Sequence, residues 1–355
     1  MDFAKDIVQL KMTSCKAPFN NMYFTTSGTV APCWLTVDMK EIWTKDNSIS
    51  DIWFGDKFQK LRNDLSNNIF EGPCKICKKN IDDNVWSLSK AYEPYSVTKY
   101  PTMMELELSN QCNLECIMCN GKLSSGIRKN RDKLPPMPMM YDDTFVKQLE
   151  EFIPHLEELR FNGGEPLAQK IVFEICETVS ILKPDLKINI ATNGTVYNDR
   201  VKELLDSCNV YLNISIDSLI KERYEDIRIN GDFDLLMKNF EIFLEYINKQ
   251  NYSENRKKEV PFGLCVMVNP MRNNWDEMVN YVKWCGEKNV DLWYNTIRYP
   301  EHLSIWNLST DELKHIVETL KVELNLLSSD ILNYDKADHL INNQFSNWLL
   351  ESYGG

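Results

Sequence analysis

The chain reads as an α/β protein: a parallel sheet or barrel of six β/α units, with a small module before it and a helical tail after it. Three observations predict this. From Pro101 onward, short apolar runs alternate with longer stretches of helical periodicity. Many of those runs end in Asn, Ser or Gly, as buried parallel strands do. The first hundred residues follow another rhythm, set by turn residues and cysteines.

The elements follow in order. Asn20–Val37 reads as a hairpin, with Met22–Thr25, a turn at Ser27-Gly28 and then Val30–Val37. A helix is expected over Asp56–Leu65, before Gly72-Pro73-Cys74. Residues 1–83 form this module and 84–100 a linker. Residues 101–308 hold the strands Met103–Ser109, Glu158–Asn162, Leu186–Thr192, Val210–Ile216, Pro261–Val268 and Val290–Thr296. Between them lie helices over Tyr141–Ile153, Ala168–Leu182, Asn198–Ser207, Asp232–Lys249 and Asn274–Lys288, and Thr310–Leu327 opens the helical extension, 309–355. Asp232 is placed to cap the clearest of them, whose stripe is Phe233, Leu236, Met237, Phe240, Leu244 and Ile247. Six units are fewer than the eight of a closed barrel.

Composition narrows the function. With 52 Asp plus Glu against 40 Lys plus Arg, the net charge of −12 argues against nucleic acid, whose binders carry a basic face. Apolar runs such as Val210–Ile216 and Leu264–Val268 fall far short of the roughly 18 residues that a membrane span needs. The start, Met-Asp-Phe-Ala-Lys-Asp, has no signal-peptide character. A reducing cytoplasm is expected, where eleven cysteines are thiols, ligands or catalysts rather than disulfides. Cys176, Cys208, Cys265 and Cys285 sit in apolar or helical surroundings and are read as core.

The most informative segment is Asn110-Gln111-Cys112-Asn113-Leu114-Glu115-Cys116-Ile117-Met118-Cys119-Asn120. Three thiolates spaced C-x3-C-x2-C, directly after a strand, can converge on one metal centre. On a four-iron cube, three protein ligands leave one iron open for an exogenous ligand. Zinc is the competing reading, but a structural zinc site wants four ligands, and the nearest histidine, His155, has no paired ligand.

With these residues the chain resembles the radical S-adenosylmethionine (SAM) superfamily, whose fold is a partial (β/α)6 TIM-like barrel. The resemblance implies a [4Fe–4S] cluster on Cys112, Cys116 and Cys119 that binds SAM. Phe161-Asn162-Gly163-Gly164-Glu165-Pro166 looks like the family's GGEP motif, which binds the amino group of SAM. Two glycines let a backbone approach a ligand closely, and Glu165 can pair with an ammonium. Ser215 and Asp217, in Asn213-Ile214-Ser215-Ile216-Asp217-Ser218, resemble the segment that contacts SAM's carboxylate and ribose, and alternate positions of a strand share one face. Thr192-Asn193-Gly194 and Val268-Asn269-Pro270 end strands in the same fashion, although Asn193 and Asn269 also read as ordinary turn residues. Met118 holds the usually aromatic position before the third cysteine, where a thioether can pack against adenine.

The first module resembles the SPASM and twitch auxiliary-cluster modules in Ser27-Gly28-Thr29-Val30-Ala31-Pro32-Cys33, Ile52-Trp53, Lys57-Phe58-Gln59-Lys60-Leu61-Arg62 and Pro73-Cys74-Lys75-Ile76-Cys77. Four thiolates, Cys15, Cys33, Cys74 and Cys77, would fully ligate an auxiliary [4Fe–4S] cluster. Zinc is again the alternative. In most family members such a module follows the barrel; here it precedes it.

The resemblance implies reductive cleavage of SAM to methionine and a 5′-deoxyadenosyl radical, which abstracts hydrogen from substrate. An electron donor such as flavodoxin or ferredoxin is expected. A peptide or small-molecule substrate undergoing net oxidation or crosslinking, with electron transfer through the auxiliary cluster, is the preferred class. An RNA-modifying radical SAM enzyme and a non-catalytic zinc-binding scaffold are the alternatives. Tyr294, Arg298 and Tyr299 follow the sixth strand as candidates for the cavity, with Arg298 suited to a carboxylate or phosphate. The lone His302 reads as structural, and the basic run Arg128, Lys129, Arg131 and Lys133 as a solvated loop.

Overall fold

The computed structural model describes residues 15–37, 41–83, 87–251 and 263–353. It divides into two compact units, one of residues 1–112, 121–190 and 198–210, the other of 113–120, 191–197 and 211–355.

The first unit carries β1 (Asn21–Phe24), β2 (Thr29–Ala31), β3 (Glu41–Ile42), β4 (Met103–Leu106), β5 (Glu158–Phe161) and most of β6 (Lys187–Thr192). β1 and β2 form the expected hairpin, antiparallel with Tyr23 opposite Ala31. Gly28 makes its turn at φ +82°, a conformation that suits glycine. β2 stops at Ala31 rather than running to Val37, because Pro32 has no N–H to donate to a ladder. The hairpin is not freestanding. β1 pairs in parallel with β4, setting Tyr23 against Glu105. β4 then pairs in parallel with β5, and β5 with β6.

The two faces of these strands differ sharply. Met22, Phe24, Met104, Leu106, Leu159, Phe161, Ile188 and Ile190 are all buried. Phe24 packs edge-on against Phe145 of the helix Asp143–Leu149, at 5.3 Å between ring centres. The other face is polar. Glu158 bonds Arg160 at 2.6 Å and Lys187 at 2.8 Å, while Glu105 accepts from Asn21 at 2.8 Å and from Tyr92 at 3.0 Å.

The second unit holds most of β7 (Asn209–Ser215), then β8 (Leu264–Val268) and β9 (Asp291–Tyr294), all parallel. The first two positions of the strand expected at Pro261–Val268 lie outside the described residues. The long helix Phe233–Asn251 starts where expected, with Asp232 accepting from the N–H of Leu235 at 2.9 Å and Leu236, Phe240, Phe243 and Ile247 buried. Thr310–Asn325 opens with a capping box of Ser309 and Glu312. The tail adds His339–Phe345 as a π-helix and Ser346–Tyr353 as an α-helix. Among the described residues β4 to β9 are each followed by helix, which makes this an α/β fold of the partial (β/α)6 barrel class. Among the described residues, no helix is long and apolar enough to cross a membrane.

Phe24 ties the hairpin to the helix-covered face of the sheet. Phe24→Ala should cost about 3–5 kcal/mol, read as a lower urea midpoint with an unchanged m-value. A loss below about 1 kcal/mol would show that the hairpin's packing is dispensable.

Candidate cluster and cofactor site

The first module gathers its four cysteines. Cys15, Cys33, Cys74 and Cys77 line one pocket, walled by Leu65, Phe70, Leu88 and Tyr92. Cys74 and Cys77 stand on the helix Cys74–Asp82, one turn apart, while Cys33 follows the end of β2. The expected family segments act as supports. Trp53 packs at 5.5 Å from Phe58, and the Arg62 guanidinium lies 4.1 Å over the Trp53 ring while bonding the Pro18 and Trp53 carbonyls. The segment read as a linker contributes too: Leu88–Tyr92 forms a 3-10 turn with Leu88, Ser89 and Tyr92 buried.

Burial pushes the Cys15 thiol up to about 12, and the neighbouring Cys33, Cys77 and Cys74 push the same way. Cys74 is pushed up to about 11 by burial and by Cys33 and Cys77. Four thiols close enough to repel one another as thiolates, in an apolar pocket, fit a cationic iron–sulfur core that relieves the repulsion. Among the described residues, no three His, Cys, Asp or Glu side chains meet as they would around a single metal ion.

Of the three cysteines in the C-x3-C-x2-C segment, Cys112 belongs to the first unit and Cys116 and Cys119 to the second. In the second unit the loop is clamped by the end of the helix Lys221–Ile227 and the residues just after it. Glu115 N–H donates to Ile229 O and Ile117 N–H to Ile227 O, each at 2.9 Å. Arg228, lying between, points a guanidinium N–H at Cys116 Sγ, 3.8 Å away. Burial raises the Cys116 thiol and Arg228 draws it back down. Met118 packs with Ile117 against Ile227, Met271 and Leu303. Asn113 bonds both Thr195 and Asn193, at 2.8 and 2.9 Å, so the end of β6 holds the loop.

The GGEP segment is shaped as the sequence suggested. Gly163 and Gly164 have φ of +75° and +59°. A Cβ on Gly164 would lie 2.4 Å from the Gln111 carbonyl oxygen, next to Cys112, so only glycine fits there. A Cβ on Gly163 would press on Glu107. Glu165 N–H donates to Gln111 O at 2.8 Å, and its fully buried carboxylate accepts from Leu167 N–H at 3.0 Å. Pro166 opens that short 3-10 turn.

The other strand ends hold partners within the protein. Ser215 ends β7 half-buried, on the polar side of the alternation. Asp217 is wholly buried: one oxygen pairs with Arg228 at 2.6 Å, and the other accepts from the backbone and side-chain N–H of Asn269 at 2.8 and 2.9 Å. Its carboxylate is committed to the protein. Tyr294 likewise does not offer its hydroxyl to a cavity, because it donates to Met278 O at 2.6 Å. Arg298 is exposed and lies 4.4 Å over the Trp306 ring. His155 stacks flat on Tyr100. Sequence reasoning missed Arg228, Glu107 and Tyr92, whose residue types carry no spacing signal.

Residues 106–254 match the radical SAM superfamily and residues 15–78 the SPASM iron–sulfur cluster-binding domain. The chain therefore carries a radical SAM domain, with a SPASM domain preceding it. Such a pair of domains carries a SAM-binding [4Fe–4S] cluster, an auxiliary cluster and SAM. The chain is similar to the molybdenum cofactor biosynthesis protein moc-5 of Caenorhabditis elegans, with 26% identity over 54% of this chain and 29% of that protein. It is similar to the GTP 3′,8-cyclase of Clostridium botulinum, at 28% over 39% of this chain and 42% of the cyclase. These matches thus span less than half of either relative. Among solved structures, SuiB of Streptococcus suis bound to SAM aligns with a TM-score of 0.45 at 15% identity, covering 76% of this chain and 57% of that one. Native anSMEcpe with bound SAM aligns at 0.45 and 18%, covering 63% and 60%.

Gly164→Ala would strain the backbone beside Cys112 by about 1–3 kcal/mol. SAM affinity measured by calorimetry should fall roughly tenfold or more, with the auxiliary iron retained. Unchanged affinity would show that the GGEP loop is not part of the SAM site.

Proposed function

We propose that this chain is a radical SAM oxidoreductase or maturase, removing hydrogen from a peptide or small molecule with net oxidation or crosslinking. The bound clusters and SAM supply one-electron chemistry and hydrogen abstraction; an electron donor such as flavodoxin or ferredoxin feeds them. Cys112, Cys116 and Cys119 would hold the SAM-binding cluster, and Cys15, Cys33, Cys74 and Cys77 the auxiliary one. Gly163 and Gly164 open a close approach for SAM, Met118 offers it a thioether, and Glu165, Asn193, Ser215 and Asn269 orient it. Asp217 serves by fixing Asn269 and Arg228 rather than by touching SAM.

One observation carries the oxidative reading. Tyr92 walls the four-cysteine pocket and donates its hydroxyl to Glu105 of β4, the first barrel strand. The auxiliary pocket and the polar face of the barrel strands are thus joined by a single hydrogen-bonded side chain. An electron-accepting centre set so close to the barrel strands supports oxidation of what the barrel holds.

Anaerobic reconstitution should load about eight irons per chain. The triple variant Cys112→Ala, Cys116→Ala, Cys119→Ala should keep about half and lose SAM cleavage. A deuterated substrate pool should pass label into 5′-deoxyadenosine. Tyr92→Phe should still cleave SAM yet form less oxidised product per SAM consumed. A colourless protein with stoichiometric zinc would sink the enzyme reading, and conversion of GTP, the chemistry named for the curated relatives, would sink the oxidative one.

A further inference from the structure

We propose that Arg228 is a charge-positioning residue for the SAM-binding cluster, holding its guanidinium on Cys116 so that the centre is easier to reduce. The proposal deepens the reading above and rests on a cluster carried by Cys112, Cys116 and Cys119.

The backbone sets the contact. The bonds Glu115 N–H to Ile229 O and Ile117 N–H to Ile227 O run two segments antiparallel, in a register that puts Cys116 directly opposite Arg228. Opposite residues of an antiparallel pair project to the same side. The side chains accordingly meet, with Arg228 Nη1 3.8 Å from Cys116 Sγ.

The charge is permanent and shielded from water. Arg228 is buried, and so is Cys116. A guanidinium does not lose its proton at any working pH. Asp217 pairs with Arg228 Nη2 at 2.6 Å and neutralises part of its charge. Asp217 is itself fixed by Asn269, and Asn274 bonds its carbonyl at 2.7 Å. Arg228 Nε has no hydrogen-bond partner. The guanidinium is shared between one carboxylate on Nη2 and one sulfur on Nη1, so its cationic Nη1–H end is the part turned toward the ligand sulfur.

Reducing an iron–sulfur centre adds one negative charge. A cation nearby, in a medium less polarisable than water, favours the reduced form, and hydrogen bonds to ligand sulfur act in the same direction. Removing the cation should lower the potential, and removing Asp217's charge should raise it. A purely structural clamp predicts no such opposition, since either change would only loosen the loop.

Redox titration of the reconstituted full chain tests this, followed through the part of the EPR signal that SAM perturbs. Arg228→Gln should shift the reduction equilibrium tenfold or more toward the oxidised form, about 59 mV for one electron. Arg228→Lys, which keeps a charge, should stay nearer the wild type. Asp217→Asn should move the potential upward. Shifts of the same sign in Arg228→Gln and Asp217→Asn, or no shift in either, would overturn the proposal. If Arg228→Gln fails to hold iron, Asp217→Asn decides alone: upward supports, unchanged or downward overturns. A wild-type chain with only about four irons and no SAM-sensitive signal would instead overturn the cluster assignment beneath it.

Discussion

The parallel ladder between β1 and β4 is the constraint on which the first unit depends. Four residues of the SPASM hairpin pair with four of the first barrel strand, Asn21 to Phe24 against Met103 to Leu106. Because strand faces alternate, this one register sends Met22 and Phe24 to the helix-covered face and Asn21 and Tyr23 to the polar one. A slip by one residue would put Phe24 among Glu105 and Arg160. The same register lets Tyr92 reach Glu105 while it walls the cysteine pocket. An N-terminal cluster module is thereby built into the barrel sheet instead of tethered to it.

Buried charge is the second theme. Glu105, Glu158, Arg160 and Lys187 share the polar face in the first unit, and Asp217 pairs with Arg228 in the second. Removing such groups from water is costly, and breaking one partner leaves the other uncompensated. Hydrophobic replacements would pack such positions at lower cost, so the charges mark surfaces where polarity is used. Burial raises Glu107 and Glu105, with Tyr23 and Arg160 respectively the strongest opposing influence.

Much of the fold was legible in the sequence. Six apolar runs with intervening helical stripes marked the six strands, and their lengths missed by up to three residues, since ladder ends depend on neighbouring strands. The one cap read from the sequence, Asp232 ahead of its stripe, was read correctly. The grouping of Cys15, Cys33, Cys74 and Cys77 and the left-handed GGEP glycines were also legible, because thiol spacing and paired glycines are rare without a ligand or a tight turn. Tyr294 and Arg298 misled, because a polar residue after a strand carries no mark of whether its partner is a ligand, a carbonyl or a ring. Asp217 was placed at the right strand end, but its pairing with Arg228 was not legible, since Arg228 lies eleven positions further along the chain with no periodic relation to it.

Sequence alone determined the residue chemistry: which residues are thiols, how they are spaced, and which loop glycines permit a left-handed backbone. These are local properties, written in residue type and short spacing. Only the tertiary structure decided that the SPASM hairpin extends the barrel sheet, that Tyr92 joins the cysteine pocket to β4, and that Arg228 stands opposite Cys116. Those pairings bring together residues tens of positions apart, and in the case of Arg228 more than a hundred. Their energy comes from burial and register, which no short stretch of sequence contains.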